Sequence, residues 1–414
     1  MSAVVTGLGV VSPFGCGTEA FLRGLRAGRS AARRITLFDP GDLPCQVAAE
    51  VPGFDPAAHL GADDVQRVGR IVPLSIAAAR EALGDAGLGR DLSFEARREI
   101  GVVIGSGAGA IDFAERQYEA YYRHGIRRVN PFAISSSVVG MVSSELSIRF
   151  GFTGPSHVLS NGCTSSTDAI GYAMHAIRRG ELPLILTGGA EACITPGMMQ
   201  GFCRMRAAAV GWNDRPGMAS RPFDRDRSGF VLGEGAFLMV LEESGHARRR
   251  GARVYAEIAG YGSTCDAHHR VHVSHDGSES TRAMELALRS AGAVPSEVDY
   301  INLHGTSTRQ NDRVETIAVK SLLGGRAQEV PVSSTKSMIG HPQGACGAAG
   351  VLATILAMRH DFLPPTINYE TPDPECDLDY VPNRARPGRP RLALCNCIGF
   401  GSKNSALVVR ATGP

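Results

Sequence analysis

The chain has 414 residues, 43% hydrophobic and 20% charged, a globular balance that excludes a disordered or fibrous protein. Its formal net charge of +2 gives no general pull toward nucleic acid. No apolar run reaches the roughly 18 residues needed to span a bilayer, and the opening MSAVVTGLGVVSP lacks a charged leader and cleavage site, so a cytoplasmic protein is expected.

The first predicted element is the strand within SAVVTGLGVVSP at 2–13. PLSIAAAREALGDAG at 73–87 reads as an amphipathic helix stopped by Gly87. REIGVVIGSGAG at 98–109 and LPLILTGGAEA at 182–192 read as buried strands ending in glycine turns. Between them, NGCTSSTDAIGYAMHAIRRG at 161–180 is a small-residue turn opening a long helix. ESGHARRRGARV at 243–254 reads as a surface helix passing into a strand, and it separates a first half, 1–250, from a second, 251–414. The second half begins with the strand YAEIAGYGSTCD at 255–266, continues to the apolar strand VDYINL, and reaches another turn and helix, GHPQGACGAAGVLATILAM at 340–358. This alternation predicts α/β layers with buried, largely parallel strands. SAVVTGLGVVSP echoes YAEIAGYGSTCD, and the two turn-helix segments echo each other. Two similar halves would bring the starts of those two helices together across a pseudo-twofold axis.

Cys163 lies in SNGCTSSTDAIGYA, where a helix start offers free backbone N–H groups and a positive end that favour thiolate. The same groups can hold an oxyanion formed when sulfur attacks a carbonyl. His304 follows the strand VDYINL in NLHGTSTRQND, and His341 lies in SSTKSMIGHPQGACG, five residues after Lys336. Two neutral imidazoles donating to one carbonyl oxygen can stabilise the enolate that a decarboxylative condensation generates. Lys320, Lys336 and Lys403 are the only lysines, so a lysine inside a motif is informative. Each residue alone is more often structural; the combination is not.

CTSSTDAIGYA, HGTSTRQND, SSTKSMIGH and GFGSKN, with RPFDRDRSGFVLGEGA at 221–236, resemble the β-ketoacyl-acyl-carrier-protein synthases over essentially the whole chain. The resemblance implies a thiolase-type duplicated five-layer αβαβα fold and a dimer. By motif, Cys163 resembles the nucleophile that receives an acyl chain, and His304 and His341 the pair that binds the malonyl thioester. Lys336 is similar to the supporting lysine. Phe400 is similar to the gating phenylalanine whose N–H completes an oxyanion hole with Cys163. Thr306 and Thr308 resemble the threonines that hold a pantetheine arm, and Ala108 and Phe202 are expected at the acyl pocket. HGTSTRQNDRVET and NYETPDPECDLDYVPNRARP at 368–387 look most like ketosynthase α-subunits of bacterial type II polyketide synthases. Such subunits pair with a chain-length factor, otherwise with themselves, and take substrates from an acyl carrier protein without a metal or redox cofactor. CTSSTDAIG departs from the CTSGLD pattern of aromatic enzymes, which leaves a reduced or polyene chain open. Further departures are Ser402 where a second glycine is usual, and Gly350 where a glutamate is common; Ala108 replaces a larger aliphatic residue. The alternatives are a fatty-acid elongating synthase, a starter-selecting acyltransferase and a non-catalytic partner subunit, the last disfavoured because the cysteine is present.

Other signals carry less. His268, His269, His272 and His275 fall in an extended segment whose alternation scatters them over both faces, so no metal site is expected there. Among the ten cysteines no CxxC pair occurs, and Cys395-x-Cys397 alone is poor evidence for zinc. GSGAGA and GLGVVSPFG read as tight turns, with no acidic residue at dinucleotide spacing. Arg67, Arg128 and Arg206 are candidates for docking an acidic carrier protein, against the default of solvated arginine.

Overall fold

Ten strands, with the short Gly15–Cys16 strand hung on the first, form the main sheet of a computed structural model that describes residues 1–89 and 92–413. The first half contributes β1 (Ala3–Ser12), β2 (Ile100–Gly105), β3 (Ser156–Leu159), β4 (Leu184–Glu191) and β5 (Gly235–Glu243). The second contributes β6 (Ala256–Cys265), β7 (Tyr300–Asn302), β8 (Val332–Ser333), β9 (Leu392–Gly399) and β10 (Lys403–Ala411). Their order is β8-β7-β9-β10-β6-β1-β5-β4-β2-β3, which puts β1 beside β6 at the centre. Outward from that seam each half repeats one series of pairings: two antiparallel, then two parallel. The sheet is therefore mixed rather than largely parallel. β10 returns from β9 through the tight turn at Phe400–Ser402, and β5 re-enters after a long excursion that reverses the chain.

Five helices matter for the site: α1 (Ile71–Asp85), α2 (Ser165–Arg178), α3 (Ser278–Ala291), α4 (Arg309–Leu323) and α5 (Cys346–His360). The duplication reaches single residues. β1 slips register between Val5 and Gly7, and β6 slips between Ile258 and Gly260. A Cβ on Gly7 or Gly9 would strike the Ala82 and Ala78 carbonyl oxygens of α1, and one on Gly260 or Gly262 those of Ala287 and Ala283 in α3. The glycines shared by the two echoing segments thus permit the same close helix-on-strand approach twice.

Three apolar cores separate five layers. One lies between α1 and the first half of the sheet, one between the second half and α3 with α4. The third holds α2 and α5 between the two sheet halves. Every residue of α5 from Cys346 to Met358 is buried, as a helix that is apolar all round requires. Gly347 meets Thr167 of α2, and the Ala348 N–H donates to Ser166 Oγ at 2.9 Å. That contact sets the amino ends of α2 and α5 against each other. Among the described residues, no helix is long and apolar enough to cross a membrane.

Candidate active site

Cys163 sits in the single turn Gly162–Thr164 that leads into α2, with Gly162 at φ 67° making the sharp entry. Its sulfur lies 3.3 Å from His341 Nε2 and accepts the Phe400 backbone N–H. The residue is 3% exposed, and burial raises its thiol pKa; the Cys346 thiol adds to this, while Lys336 and the Phe400 N–H oppose it. The thiolate expected at a helix start is therefore not the resting state. Desolvation outweighs the helix end in a closed pocket, and His341 Nε2 is the base within reach of the proton.

His304 leaves β7 on a loop that a buried carboxylate straps down. Glu315 of α4 accepts the His304 and Gly305 backbone N–H groups at 2.6 and 2.7 Å, and Asn396 Nδ2 at 2.7 Å. Lys336 Nζ donates to the His304 carbonyl at 2.6 Å. The His304 and His341 rings stand 5.2 Å apart and nearly perpendicular. Burial drives the His304 pKa down to about 3, helped by Lys336, and lowers that of His341. Both are neutral imidazoles at physiological pH.

These groups open on a cavity of about 230 Å³. Thr306 and Thr308 line it with their hydroxyls 2.8 Å apart, and Arg206, with a left-handed φ of 57°, stands at its rim. Phe400 faces the cavity on one side and an apolar cluster holding Ala108 and Phe202 on the other. Ala108 and Phe202 belong to the apolar cluster on the far side of Phe400 rather than to the wall of this cavity. A larger cleft of about 910 Å³, edged by Leu37, Arg70, Tyr118 and Ile194, holds neither the thiol nor the imidazoles. Arg67 pairs with Asp64 at 3.2 Å and covers Phe132, and neither it nor the exposed Arg128 reaches the cavity.

Several residues carrying this geometry give weak signals in the sequence. Glu191, ending β4, accepts the Gly107, Ala108 and Gly344 N–H groups at 2.8, 3.1 and 2.8 Å and the Ser106 hydroxyl at 3.1 Å. It ties the turn after β2 to the loop after His341. Burial raises the Glu191 and Glu315 pKa values to about 7 against these donors. An acidic residue at the end of the apolar run LILTGGAE is the one available hint. Cys346 and Cys397 both donate to the Cys163 carbonyl, at 3.3 and 3.1 Å. Gly350 abuts Asn302 Oδ1, so a carboxylate side chain has no room there; Glu315 supplies the negative field that Lys336 meets. Ser402, at φ 64°, is bonded to the histidine-rich loop: it accepts the His268 and His269 N–H groups at 3.2 and 3.0 Å and donates to the His269 carbonyl at 2.9 Å. Those four histidines form no metal-ligand group among the described residues; His272 instead contacts Gln310 at 2.8 Å beside the cavity.

The beta-ketoacyl synthase N-terminal domain model matches residues 2–247 and the C-terminal domain model residues 255–370. The chain is 43% identical to the tetracenomycin polyketide synthase ketoacyl synthase alpha subunit of Streptomyces glaucescens, covering 98% of this chain and 96% of that one. It is 41% identical to a 3-oxoacyl-[acyl-carrier-protein] synthase 2 of Coxiella burnetii, covering 98% and 97%. Among solved structures, the ishigamide ketosynthase/chain length factor superposes with a TM-score of 0.92 at 34% identity, covering 100% of this chain and 99% of that one. A type II polyketide synthase acyl-carrier protein in complex with its ketosynthase bound to the hexaketide gives 0.91 at 32%, with the same coverage. A duplicated α/β sandwich whose thiol and imidazoles meet at the seam, together with these matches along its whole length, makes this chain a member of the beta-ketoacyl synthase family.

Proposed function

We propose that the chain extends a polyketide by decarboxylative condensation, as the catalytic subunit of a two-subunit ketosynthase. The chain is an acyltransferase of the ketosynthase type, and the residue roles that follow are our reading. Cys163 gives its proton to His341 Nε2 and attacks the thioester of an acyl chain carried on phosphopantetheine, releasing the carrier thiol. Malonyl carrier protein then enters along Thr306 and Thr308. Neutral His304 and His341 donate N–H bonds to its thioester carbonyl, so loss of carbon dioxide leaves an enolate held by two donors. The enolate carbon attacks the Cys163 thioester carbonyl, whose oxyanion sits on the backbone N–H groups of Cys163 and Phe400. Collapse expels the Cys163 thiolate, which takes up a proton from solvent, and leaves a β-keto chain two carbons longer.

One observation carries this reading: a thiol from the first half lies 3.3 Å from an imidazole of the second, with another neutral imidazole beside it on one cavity. Polyketide rather than fatty-acid extension rests on the kinship with the tetracenomycin subunit and on the segment 368–387. A partner subunit is supported by an unpartnered apolar face, on which Tyr122 is 79% and Ile134 82% exposed. Arg206 at the cavity rim suits an acidic carrier protein. The test supplies acyl and malonyl carrier proteins to the chain co-purified with its partner. Mass spectrometry should find the acyl group on Cys163 and a product extended by two carbons. Acylation elsewhere, or extension without release of carbon dioxide, overturns the reading.

A further inference from the structure

Behind the nucleophile, two cysteines that the condensation leaves without a role converge on the far nitrogen of His304. Cys346 Sγ and Cys397 Sγ are 3.6 Å apart, and Cys397 Sγ is 3.6 Å from His304 Nδ1. All three ligand atoms fall within 4.8 Å of one another, on buried residues. Buried cysteines ordinarily serve as small apolar side chains and need no partners of this kind. Here two sulfurs and an imidazole nitrogen converge. With zinc–sulfur bonds near 2.3 Å and zinc–nitrogen bonds of 2.0–2.1 Å, tetrahedral geometry sets sulfurs ~3.8 Å apart and sulfur and nitrogen ~3.5 Å apart. Both observed separations match those edges. The Cys163 carbonyl oxygen, 3.3 and 3.1 Å from the two sulfurs, supplies a further donor atom on the same cluster.

We infer that Cys346, Cys397 and His304 Nδ1 form a site for a thiophilic divalent cation such as zinc, lying beneath the Cys163 turn. Two thiolates and an imidazole select a borderline or soft ion over magnesium or calcium, which require oxygen ligands. Binding requires both sulfurs as thiolates and releases the protons they carry, so the ion, two thiolates and imidazole together are neutral. The dithiolate withdraws both S–H donors from the Cys163 carbonyl. Metal on Nδ1 also leaves the remaining His304 proton on Nε2, the nitrogen available to the cavity. The site therefore reports the metal state of the cell on the geometry of the nucleophile.

The decisive protein is Cys163→Ala, which removes the other soft-ligand group, Cys163 with His304 and His341, and makes the measurement independent of ketosynthase activity. Reduced, metal-free protein is titrated with cadmium and, separately, with zinc against a chromophoric chelator. The expected result is one ion per chain and a sulfur-to-cadmium charge-transfer absorption, with protons released on binding. Cys346→Ala and Cys397→Ala, each added to that background, should weaken binding at least a hundredfold and abolish the absorption. The near-isosteric serine variants report the same loss if an alanine variant fails to fold. No charge-transfer absorption in Cys163→Ala, or an absorption that survives removal of both Cys346 and Cys397, overturns the proposal; the second result places the metal on other cysteines of the chain.

Discussion

Glu191 offers a severe test, because every group it meets is a donor. Three backbone N–H groups and the Ser106 hydroxyl surround its two oxygens, two donors on each. Glutamine keeps the shape but turns an NH₂ toward two of those donors. Leaving a buried donor unsatisfied costs ~1–3 kcal/mol; at pH ~5, where folded Glu191 holds its proton and the two side chains carry the same charge, Glu191→Gln should lose about that much by guanidinium unfolding. The pH dependence supplies a second, independent signature. Folding raises the Glu191 pKa from an ordinary 4.5 to about 7. Because the folded form holds its proton more tightly, this group's contribution is present at acid pH and is lost as pH rises through that interval. The loss amounts to ~3 kcal/mol for the single group. The glutamine variant lacks that titration, so its stability should fall less steeply than that of the wild type between pH ~5 and ~7. Condensation should fall at least tenfold in parallel, since the loops carrying Gly107 and Gly344 are released beside the thiol and His341. Wild-type stability with an unchanged pH slope would refute the argument that this carboxylate braces the site.

Other outcomes follow from the same geometry. Cys163→Gln should abolish acyl loading, seen by mass spectrometry, while carbon dioxide release from malonyl carrier protein continues, because the imidazoles act on the other substrate. Gly350→Glu should destabilise the fold by ~1–3 kcal/mol or more through overpacking against Asn302, measurable as a lowered unfolding midpoint. Ser402→Gly removes three hydrogen bonds to the histidine-rich loop while relieving a left-handed serine; faster hydrogen exchange at His268 and His269 is the expected sign. Because burial takes the His304 pKa down to about 3 and lowers that of His341, decarboxylation by Cys163→Gln should show its acid limb below the usual histidine value, read from the rate of carbon dioxide release against pH.

The thiol, both imidazoles and Lys336 are legible in the sequence because each lies in a motif with its own neighbours, and the structure brings these four into one place. The duplication is legible too, since Gly7 and Gly9 answer Gly260 and Gly262 for a steric reason that leaves a mark in the letters. Strand direction is less so: a buried run such as LALCNCIG has the same pattern whether its neighbours run with it or against it. Glu191 and Glu315 escape notice because their partners are backbone N–H groups, which any sequence supplies. The thiol's protonation follows from enclosure, and enclosure is set by Phe230, Phe400 and Val273, residues distant from Cys163 along the chain. Ala108 and Phe202, expected at the acyl pocket, lie behind Phe400, the ring expected to gate it.

The seam between the halves has a consequence for anyone who would cut or recombine this protein. Within the main sheet only Ala3 to Val5 of β1 pair with Ala256 to Ile258 of β6. The rest of the cohesion comes from α2 and α5, side by side in the shared apolar core, from backbone bonds such as those between Val231, Gly233 and His341, and from buried ion pairs such as Arg227 with Asp312. A fragment ending near residue 250 would carry a sulfur without His341 to take its proton, and its complement would present to water a helix that is buried here from Cys346 to Met358. Chimaeras joined there must therefore match the α2–α5 surfaces of both parents before any chemistry can be expected of them.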